Sequence, residues 1–141
     1  SVGDGVAFAM REGADAIVLG GGGLGALLDG EVIGTVALLK ESAGVYELTK
    51  MAVESGWRGI GAGRLLLDAT IAEFHKRRGK MLFLESNSQL TPALTMYQSA
   101  GFELQPGGRP GSHYRRSDVY MIYDAKRAGK AVRASRNGAK R

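Results

Sequence analysis

Hydrophobic side chains follow a helical spacing in one long segment in the middle of the chain. They recur at intervals of seven, four and three residues, at Ile60, Leu67, Ile71 and Phe74. This spacing places them on one face of a helix that runs to about Arg78. Basic residues at 76–78 fall in its last turn, where cations suit the helix dipole, and Gly79 is predicted to end the helix.

Strand patterns dominate the segment before this helix. Three stretches are predicted to be strands: residues 24–28, 31–40 and 45–53. Asp29-Gly30, between the first two, is a dipeptide typical of a tight hairpin turn. Further upstream, residues 6–11 are predicted to form the end of a short helix, and the four glycines at 20–23 a mobile loop.

Strand and helix patterns alternate after the long helix. Thr91-Pro92 is predicted to cap and start a second helix that stops at Ala100-Gly101. Further strands are predicted at residues 81–85, 102–104 and 118–123. A hairpin region followed by this alternation predicts an α/β (α+β) fold. Its mixed sheet would carry packed helices and a parallel strand pair around the first long helix.

The long helix is preceded by a glycine-rich stretch, GWRGIGAG at residues 56–63. A helix start has unpaired N–H groups and a partial positive charge, so it favours anions. Glycine removes the Cβ that would keep a phosphate away, and Arg58 adds a charged donor at the same place. The stretch therefore predicts a phosphate or diphosphate site. The lysine of a P-loop is missing, which disfavours nucleoside triphosphate hydrolysis.

Three segments, in the right order, resemble the GNAT superfamily of N-acetyltransferases. RGIGAG at 58–63 matches R/Q-x-x-G-x-G/A, the acyl-CoA diphosphate motif of that family. YELTKMAV resembles its fourth strand, and ALTMYQSAGF resembles its fourth helix. The later segments LESNSQLTPAL and SHYRRSDVYMIYD resemble the branch found alone or fused to winged-helix (MarR-type) regulators. The first strand and helix of the family are hard to find before Val6, so we expect a missing N-terminal segment.

The resemblance implies a GNAT fold, with a mixed central β-sheet, flanking helices and a parallel strand pair splayed around acyl-CoA. It also implies transfer of an acetyl group from acetyl-CoA to a primary amine, without a metal. The diphosphate would be bound by Arg58, Gly59, Ile60, Gly61, Ala62, Gly63 and Arg64. Met51, Ala52 and Val53 would pair with the pantetheine arm, and the Val53 N–H would polarise the thioester carbonyl.

Two residues match catalytic positions of the family. Tyr97 corresponds to a tyrosine that protonates the leaving thiolate, and a phenol of pKa near 10 suits a thiol of pKa about 8–9. Glu47 corresponds to a glutamate that deprotonates the incoming ammonium, directly or through water. Each residue also has a structural interpretation. Tyr97 would then be a core residue, and Glu47 a strand carboxylate paired with a lysine.

The chain departs from the family pattern at one position. The wider family often has an asparagine seven residues before the tyrosine, where this sequence has Leu90. Asn87 would bond the pantetheine amides in its place, or instead cap the strand-to-helix turn.

A charged loop at 107–117 corresponds to the acceptor end of family members. Its polar residues hint at an acceptor with an acidic group, or are solvated loop charges: His113, Tyr114, Arg115 and Arg116. The other histidine of the sequence is His75, and two histidines so far apart in the chain do not predict a metal site.

Composition divides the chain into a body and a basic tail. The 141 residues carry a net charge of +5 and include no cysteine. The segment 125–141 has seven basic residues and no acid, so an acetyltransferase domain is predicted at 1–124 and a disordered tail after it. The absence of cysteine and of a membrane-length apolar stretch favours a cytoplasmic enzyme.

The sequence leaves alternative functions open. The first is N-acetylation of a small molecule or protein amine with acetyl-CoA as co-substrate. The second is an acyl-CoA-binding sensor or regulatory module with little catalysis, linked to a DNA-binding domain. A nucleic acid is expected as a partner only through the basic tail, because no helix-turn-helix pattern is visible. Since relatives often dimerise, a homodimer is a further expectation.

Overall fold

The computed structural model describes the chain in these stretches: residues 8–9, 15–20, 22–28, 30–57, 61–112 and 117–128. The chain forms two compact units, Ser1–Leu82 and Phe83–Arg141. Each unit combines strands with a helix, which confirms the predicted α/β fold class. The parallel strand pair around the long helix stays a prediction.

The described part of the first unit contains five strands, which pair antiparallel in chain order. They are β1 (Phe8–Ala9), β2 (Asp15–Gly20), β3 (Gly23–Leu28), β4 (Glu31–Ser42) and β5 (Val45–Val53). The three predicted strands are thereby confirmed. Gly30 has φ 82° in the turn between β3 and β4, as the Asp-Gly dipeptide predicts.

Upstream of β3, pairing between neighbouring strands overrides the local sequence pattern. The predicted helix end at residues 6–11 is wrong, because β1 lies there and pairs with β2. Of the predicted loop at 20–23, Gly20 and Gly23 instead belong to β2 and β3 and pair with each other, while Gly22 lies in the turn of this hairpin and Gly21 is outside the described residues. Gly22 in this hairpin has φ 87°, and its carbonyl accepts a hydrogen bond from the Leu38 N–H at 2.7 Å.

Helix α1 (Ala62–Lys76) packs against one face of this sheet. The predicted amphipathic face is confirmed at Leu67 and Phe74, which are 0% and 4% exposed. Gly34 on β4 lets the helix approach closely. A Cβ at this position would lie 3.0 Å from Leu66 Cδ1 and 3.0 Å from the Ala52 carbonyl oxygen.

The end of α1 differs in detail from the prediction at Gly79. Arg78 is the left-handed residue, with φ 55°, and the Gly79 N–H donates to the Phe74 carbonyl at 3.0 Å. Gly79 serves a different purpose, since a Cβ there would overlap the ring of Phe74. The glycine therefore allows the chain to cross that ring as it leaves the helix.

The described part of the second unit holds two strands, the greater part of a third strand, β6, and helix α2. Strand β8 (Val119–Tyr123) pairs antiparallel with β6 (Met81–Ser86) on one side and with β7 (Phe102–Leu104) on the other. Helix α2 (Thr91–Ala100) connects β6 to β7. Thr91, which was predicted to cap α2, is its first helical residue, and Leu90 occupies the cap position. Gly101, with φ 112°, ends the helix as predicted.

The strand register gives the second unit two distinct faces. Phe83 and Glu85 of β6 share one face, because alternate residues of a strand point the same way. Phe102 of β7 lies on the other face, where its ring centre is 6.0 Å from that of Tyr97 on α2. Glu85 and helix α2 are therefore on opposite faces.

The basic tail begins with a helical turn at residues 125–128, where disorder was predicted. The Ala128 N–H donates to the Asp124 carbonyl at 3.1 Å, and a Cβ on Gly101 would lie 2.7 Å from Ala128 Cβ. The rest of the tail, 129–141, lies outside the described residues. In the described part of the chain, no helix is long and apolar enough to span a membrane.

Candidate functional site

Strand β5 contains a bulge at Lys50. Between the pairs Thr35–Ala52 and Ala37–Thr49, β5 has one more residue than β4. Lys50 takes up this extra residue with φ 54°, a left-handed value that costs a non-glycine residue about 1 kcal/mol. Bulges with such strain are common beside active sites.

The sequence carries a signal for this bulge that is not included in the predicted strand 45–53. In YELTKMAV the apolar positions change from even to odd numbers, from Tyr46 and Leu48 to Met51 and Val53. A shift of one residue turns the following side chains to the other face of a sheet. The change from even to odd numbers therefore marks the point after which the side chains of the last three residues of β5 point to the other face.

A cavity of about 270 Å³ lies beside the end of β5. Its lining combines the end of β5 with the start of β4: Val32, Ile33, Gly34, Thr35, Ala52, Val53 and Glu54. A hydrogen bond of 2.9 Å from the Glu54 N–H to the Ile33 carbonyl joins the two segments. Ala52 and Val53, two of the three residues predicted to pair with pantetheine, thus border an apolar recess.

Gly61 forms the start of helix α1 with a left-handed φ of 97°. Its carbonyl accepts the first helical hydrogen bond, from the Leu65 N–H at 2.9 Å. The first turn contains no acidic residue, and no side chain caps it. A Cβ on Gly61 would meet no atom of the described residues within 4 Å, so these residues leave room beside the helix start. A bound anion would complement this helix end.

The remaining residues of the glycine-rich motif divide into two groups. Arg58, Gly59 and Ile60 lie outside the described residues. Ala62, Gly63 and Arg64 form the first turn of α1, with Ala62 fully buried at 1% exposure. The Arg64 Nε donates to Asp68 Oδ1 at 2.9 Å in an exposed pair of the i,i+4 type, worth a few tenths of a kcal/mol.

Glu47 lies in the middle of β5 and is 6% exposed. Its neighbour Tyr46 packs edge-on against Phe74 of α1, with ring centres 6.1 Å apart. Because neighbouring side chains of a strand point to opposite faces, Glu47 points away from α1. A buried carboxylate on this face is suited to proton transfer as well as to ion pairing.

Tyr97 on helix α2 is 9% exposed and packs its ring against Phe102. Burial raises the pKa of its hydroxyl above the ordinary value of 10.0, because the phenolate would lose its hydration. The phenol is therefore protonated at neutral pH. It is part of the core and also carries a proton that it could donate.

Asn87 is committed in part to the turn that leads into α2. Its Oδ1 accepts a hydrogen bond from the Gln89 N–H at 2.8 Å, and its carbonyl accepts one from the Leu90 N–H at 2.9 Å. The capping interpretation is thus confirmed for the Asn87 oxygen atoms. Leu90, at the position of the family asparagine, is 53% exposed and forms the helix cap.

Asp118 anchors the same turn and was not singled out from the sequence. Its carboxylate accepts hydrogen bonds from the Ser88 hydroxyl at 2.6 Å and the Ser88 N–H at 2.8 Å. The bond from the Ser88 side chain, followed by that from its backbone, holds the pKa of Asp118 below its ordinary 3.8. These bonds fix the approach to α2 and to Tyr97.

Few of the residues predicted for the acceptor end, and few that could bind a metal, are among the described residues. His113, Tyr114, Arg115 and Arg116 lie outside the described residues. His75 is an exposed residue near the end of α1, next to the ring of Phe74. Among the described residues there is no group of three or more histidine, cysteine, aspartate or glutamate side chains that could hold a metal.

Comparison with known protein families decides what this arrangement of strand, glycine turn and helix represents. Residues 20–104 match the family profile described as "Acetyltransferase (GNAT) domain", which is more than half of the chain. The chain belongs to the GNAT acetyltransferase family. Its enzyme class is therefore that of the acyltransferases. None of the curated proteins is a significant match to this GNAT chain.

Solved structures share the fold of this GNAT domain. A GNAT-family acetyltransferase from Staphylococcus aureus Mu50 is 24% identical with a TM-score of 0.62, over 74% of this chain and 69% of its own. A ribosomal-protein-alanine N-acetyltransferase from Brucella melitensis is 26% identical with a TM-score of 0.61, over 71% and 66%. A GNAT acetyltransferase from Elizabethkingia anophelis, solved with acetyl-CoA bound, is 21% identical with a TM-score of 0.59, over 76% and 72%.

Proposed function

We propose that this GNAT domain transfers an acetyl group from acetyl-CoA to a primary amine by direct attack. The observation that carries the proposal is the start of α1, where Gly61 is left-handed and a Cβ on it would meet no atom of the described residues within 4 Å. A diphosphate at this end would accept hydrogen bonds from the backbone N–H groups of the glycine motif. The motif residues before Gly61, from Arg58 to Ile60, would complete this cradle.

The end of β5 would hold the pantetheine arm. Met51, Ala52 and Val53 follow the bulge at Lys50, which re-aims this part of the strand. Their backbone groups would pair with the pantetheine amides, and Asn87 would add its side-chain amide. The Val53 N–H would stabilise the negative charge that develops on the thioester oxygen.

Two side chains would move protons during the transfer. Glu47 would take a proton from the ammonium form of the acceptor, directly or through water, which frees the nitrogen lone pair. The nitrogen would then form a bond to the thioester carbon as the carbon–sulfur bond breaks, and it would lose its second proton to water to give the neutral amide. Tyr97 would donate its proton to the leaving sulfur, and its burial keeps it protonated until that step.

Glu47→Gln is expected to lower kcat/KM about a hundredfold at pH values where the acceptor is protonated. The deficit should shrink as pH rises through the pKa of the acceptor, because the free amine no longer needs a base. The measurement is a pH profile of kcat/KM for both forms. Glu73→Gln is the matched control, since Glu73 is another buried carboxylate of the same unit, at 7% exposure on α1. A pH-independent loss in Glu47→Gln would instead identify Glu47 as a structural residue.

The competing proposal is that the protein is an acyl-CoA sensor with little catalysis. A relationship to the branch of the family that is fused to regulators is a separate proposal and would fit the sensor role. The presence of both Tyr97 and Glu47 supports the enzyme. We expect an amine-dependent release of free thiol from acetyl-CoA when the protein is incubated with a panel of primary amines. Tight binding of acetyl-CoA without thiol release for any amine would favour the sensor.

A further inference from the structure

A buried carboxylate outside the proposed acetyl-transfer machinery lies on β6 of the second unit. The side chain of Glu85 is 2% exposed. Its Oε1 accepts a hydrogen bond from the Ser117 hydroxyl at 3.2 Å. Its Oε2 is buried and has no hydrogen-bond partner among the described residues. A buried carboxylate is costly unless its oxygens are paired, so this oxygen indicates an incomplete interaction.

The cation nearest to this carboxylate is Arg109. Its guanidinium lies over the ring of Phe83, with Cζ 4.2 Å from the ring centre. Its Nη1 is 3.9 Å from Glu85 Oε2, which is too long for a hydrogen bond. Arg109 therefore neutralises the carboxylate from a distance while it stacks on the aromatic ring.

A similar trio in the first unit differs in its ion pair, although Glu73 Oε2, like Glu85 Oε2, is buried without a hydrogen-bond partner among the described residues. Arg77 Nε donates to Glu73 Oε1 at 2.9 Å, one helical turn away on α1. Its guanidinium lies 5.9 Å from the centre of the Tyr46 ring, so stacking there is looser. The Glu73–Arg77 ion pair is therefore hydrogen-bonded, with its guanidinium farther from the aromatic ring. In the Glu85 trio Arg109 stacks closely on Phe83, and its distance to Glu85 is too long for a hydrogen bond.

We propose that Phe83 and Glu85 form a recognition site for a cationic nitrogen of the acceptor, and that Arg109 occupies this site as an internal cation. An aromatic face beside a carboxylate is the combination that binds organic cations. A ligand cation that donates to Oε2 would make the hydrogen bond that Arg109 does not make. That this ligand is the acetyl acceptor rests on the proposed function, whereas the cation site itself does not.

The loop that carries Arg109 is suited to such an exchange. Gly107 and Gly111 lie on either side of Arg109 with φ values of 68° and 74°. A Cβ on either glycine would meet no atom of the described residues within 4 Å, so these residues do not pack closely against either glycine. Rotation about these two residues would lift the guanidinium off Phe83 without disturbing the strands.

The test is a calorimetric titration of the full chain with 4-aminobutylguanidine (agmatine), which carries a guanidinium and a primary amine. Arg109→Gln should bind the probe about tenfold more tightly than the wild type, because an internal competitor reduces apparent affinity. Glu85→Gln should bind it at least about tenfold more weakly, since the partner of the cation is lost. N-butylurea, an uncharged probe, should bind to neither form.

Matched variants separate recognition from a loss of stability. Glu73→Gln and Arg77→Gln remove the corresponding groups of the Glu73 trio, in which the ion pair is hydrogen-bonded, and should leave agmatine affinity unchanged. Arg109→Lys provides a second variant if Arg109→Gln does not fold, and should also bind the probe more tightly because lysine stacks less well. A lowered Tm in the Arg109 variants with unchanged agmatine affinity would overturn the proposal, and so would tight binding that survives Glu85→Gln.

An acetyl-CoA titration of the same samples distinguishes failure of this inference from failure of the proposed function. If acetyl-CoA binds and agmatine does not bind to either wild type or the Arg109 variants, the cation site is wrong and the acetyltransferase proposal stands. If agmatine binds in a Glu85-dependent manner and acetyl-CoA does not bind, the cation site is correct and its assignment to an acetyl acceptor is wrong.

Discussion

Tyr97→Phe is expected to lower kcat about a hundredfold while leaving the Kd for acetyl-CoA within about twofold of the wild-type value. The thiolate that leaves the thioester needs a proton, and phenylalanine has none to give. Phenylalanine keeps the ring contact with Phe102, whose ring centre lies 6.0 Å from that of Tyr97. The fold should therefore persist, and the loss should fall on turnover.

The control for this variant is Tyr123→Phe. The ring of Tyr123 also packs on Phe102, at 5.6 Å between ring centres, but no catalytic role is proposed for it. Turnover and acetyl-CoA affinity would be measured for both variants by thiol release and by calorimetry. Wild-type turnover in Tyr97→Phe would leave Tyr97 with a packing role only.

The raised pKa of Tyr97 adds a pH signature to the same variant. Because burial raises the folded-state pKa above 10.0, the protonated phenol persists to higher pH in the folded chain than in the unfolded one. The stability that protonated Tyr97 contributes to the folded chain is fully present below the pKa of the unfolded state. It is lost as pH rises through the higher pKa of the folded state. Tyr97→Phe should remove that alkaline loss, which urea unfolding above about pH 10 would detect.

Gly61→Val is expected to weaken acetyl-CoA binding by at least about tenfold and to lower the free energy of unfolding by about 1–2 kcal/mol. The lost affinity has a steric origin, since the new side chain would project into the open space where the diphosphate is proposed to lie. The lost stability has a conformational origin, because φ 97° is unfavourable for a β-branched residue.

Gly56→Val is the matched control in the same loop. A Cβ added to Gly56 would also meet no atom of the described residues within 4 Å, but the backbone of Gly56 is outside the left-handed region. It should change neither acetyl-CoA affinity nor stability appreciably. Titration with pantetheine, which lacks the diphosphate, should give equal affinities for Gly61→Val and wild type. Unaltered acetyl-CoA affinity in Gly61→Val would contradict the cradle.

The elements that could be predicted from sequence are those with a strong local cause. Asp29-Gly30 predicts its hairpin because few other dipeptides suit the turn. The apolar face that includes Leu67 and Phe74 predicts α1 because its spacing repeats over several turns. The family motif predicts where the glycine turn meets that helix, since Gly61 needs a positive φ and an open approach.

The features that were missed depend on contacts between distant parts of the chain. The short strand β1 exists because it pairs with β2, and nothing within residues 6–11 specifies that pairing. The trio of Phe83, Glu85 and Arg109 is brought together by the strand and the loop of the second unit, so sequence spacing gives no sign of it. Such contacts follow from tertiary packing and not from periodicity.

Some structural details reverse the role expected of a residue without changing its importance. Gly79 was expected to end α1, but Arg78 adopts the left-handed conformation after the helix and Gly79 makes room for the Phe74 ring. Asn87 was expected either to bond the pantetheine amides or to cap the strand-to-helix turn, and its two oxygen atoms accept hydrogen bonds within that turn. In both cases the residue type was predictable and the contact that requires it was not.

The most direct test of the central claim is a calorimetric titration of the wild-type chain with acetyl-CoA, with pantetheine as the control that lacks the diphosphate. The account predicts that acetyl-CoA binds to one site per chain and that pantetheine binds far more weakly. Equal affinity for the two compounds, or no binding of acetyl-CoA, would contradict the proposal that the glycine turn before α1 holds the diphosphate of the acetyl donor.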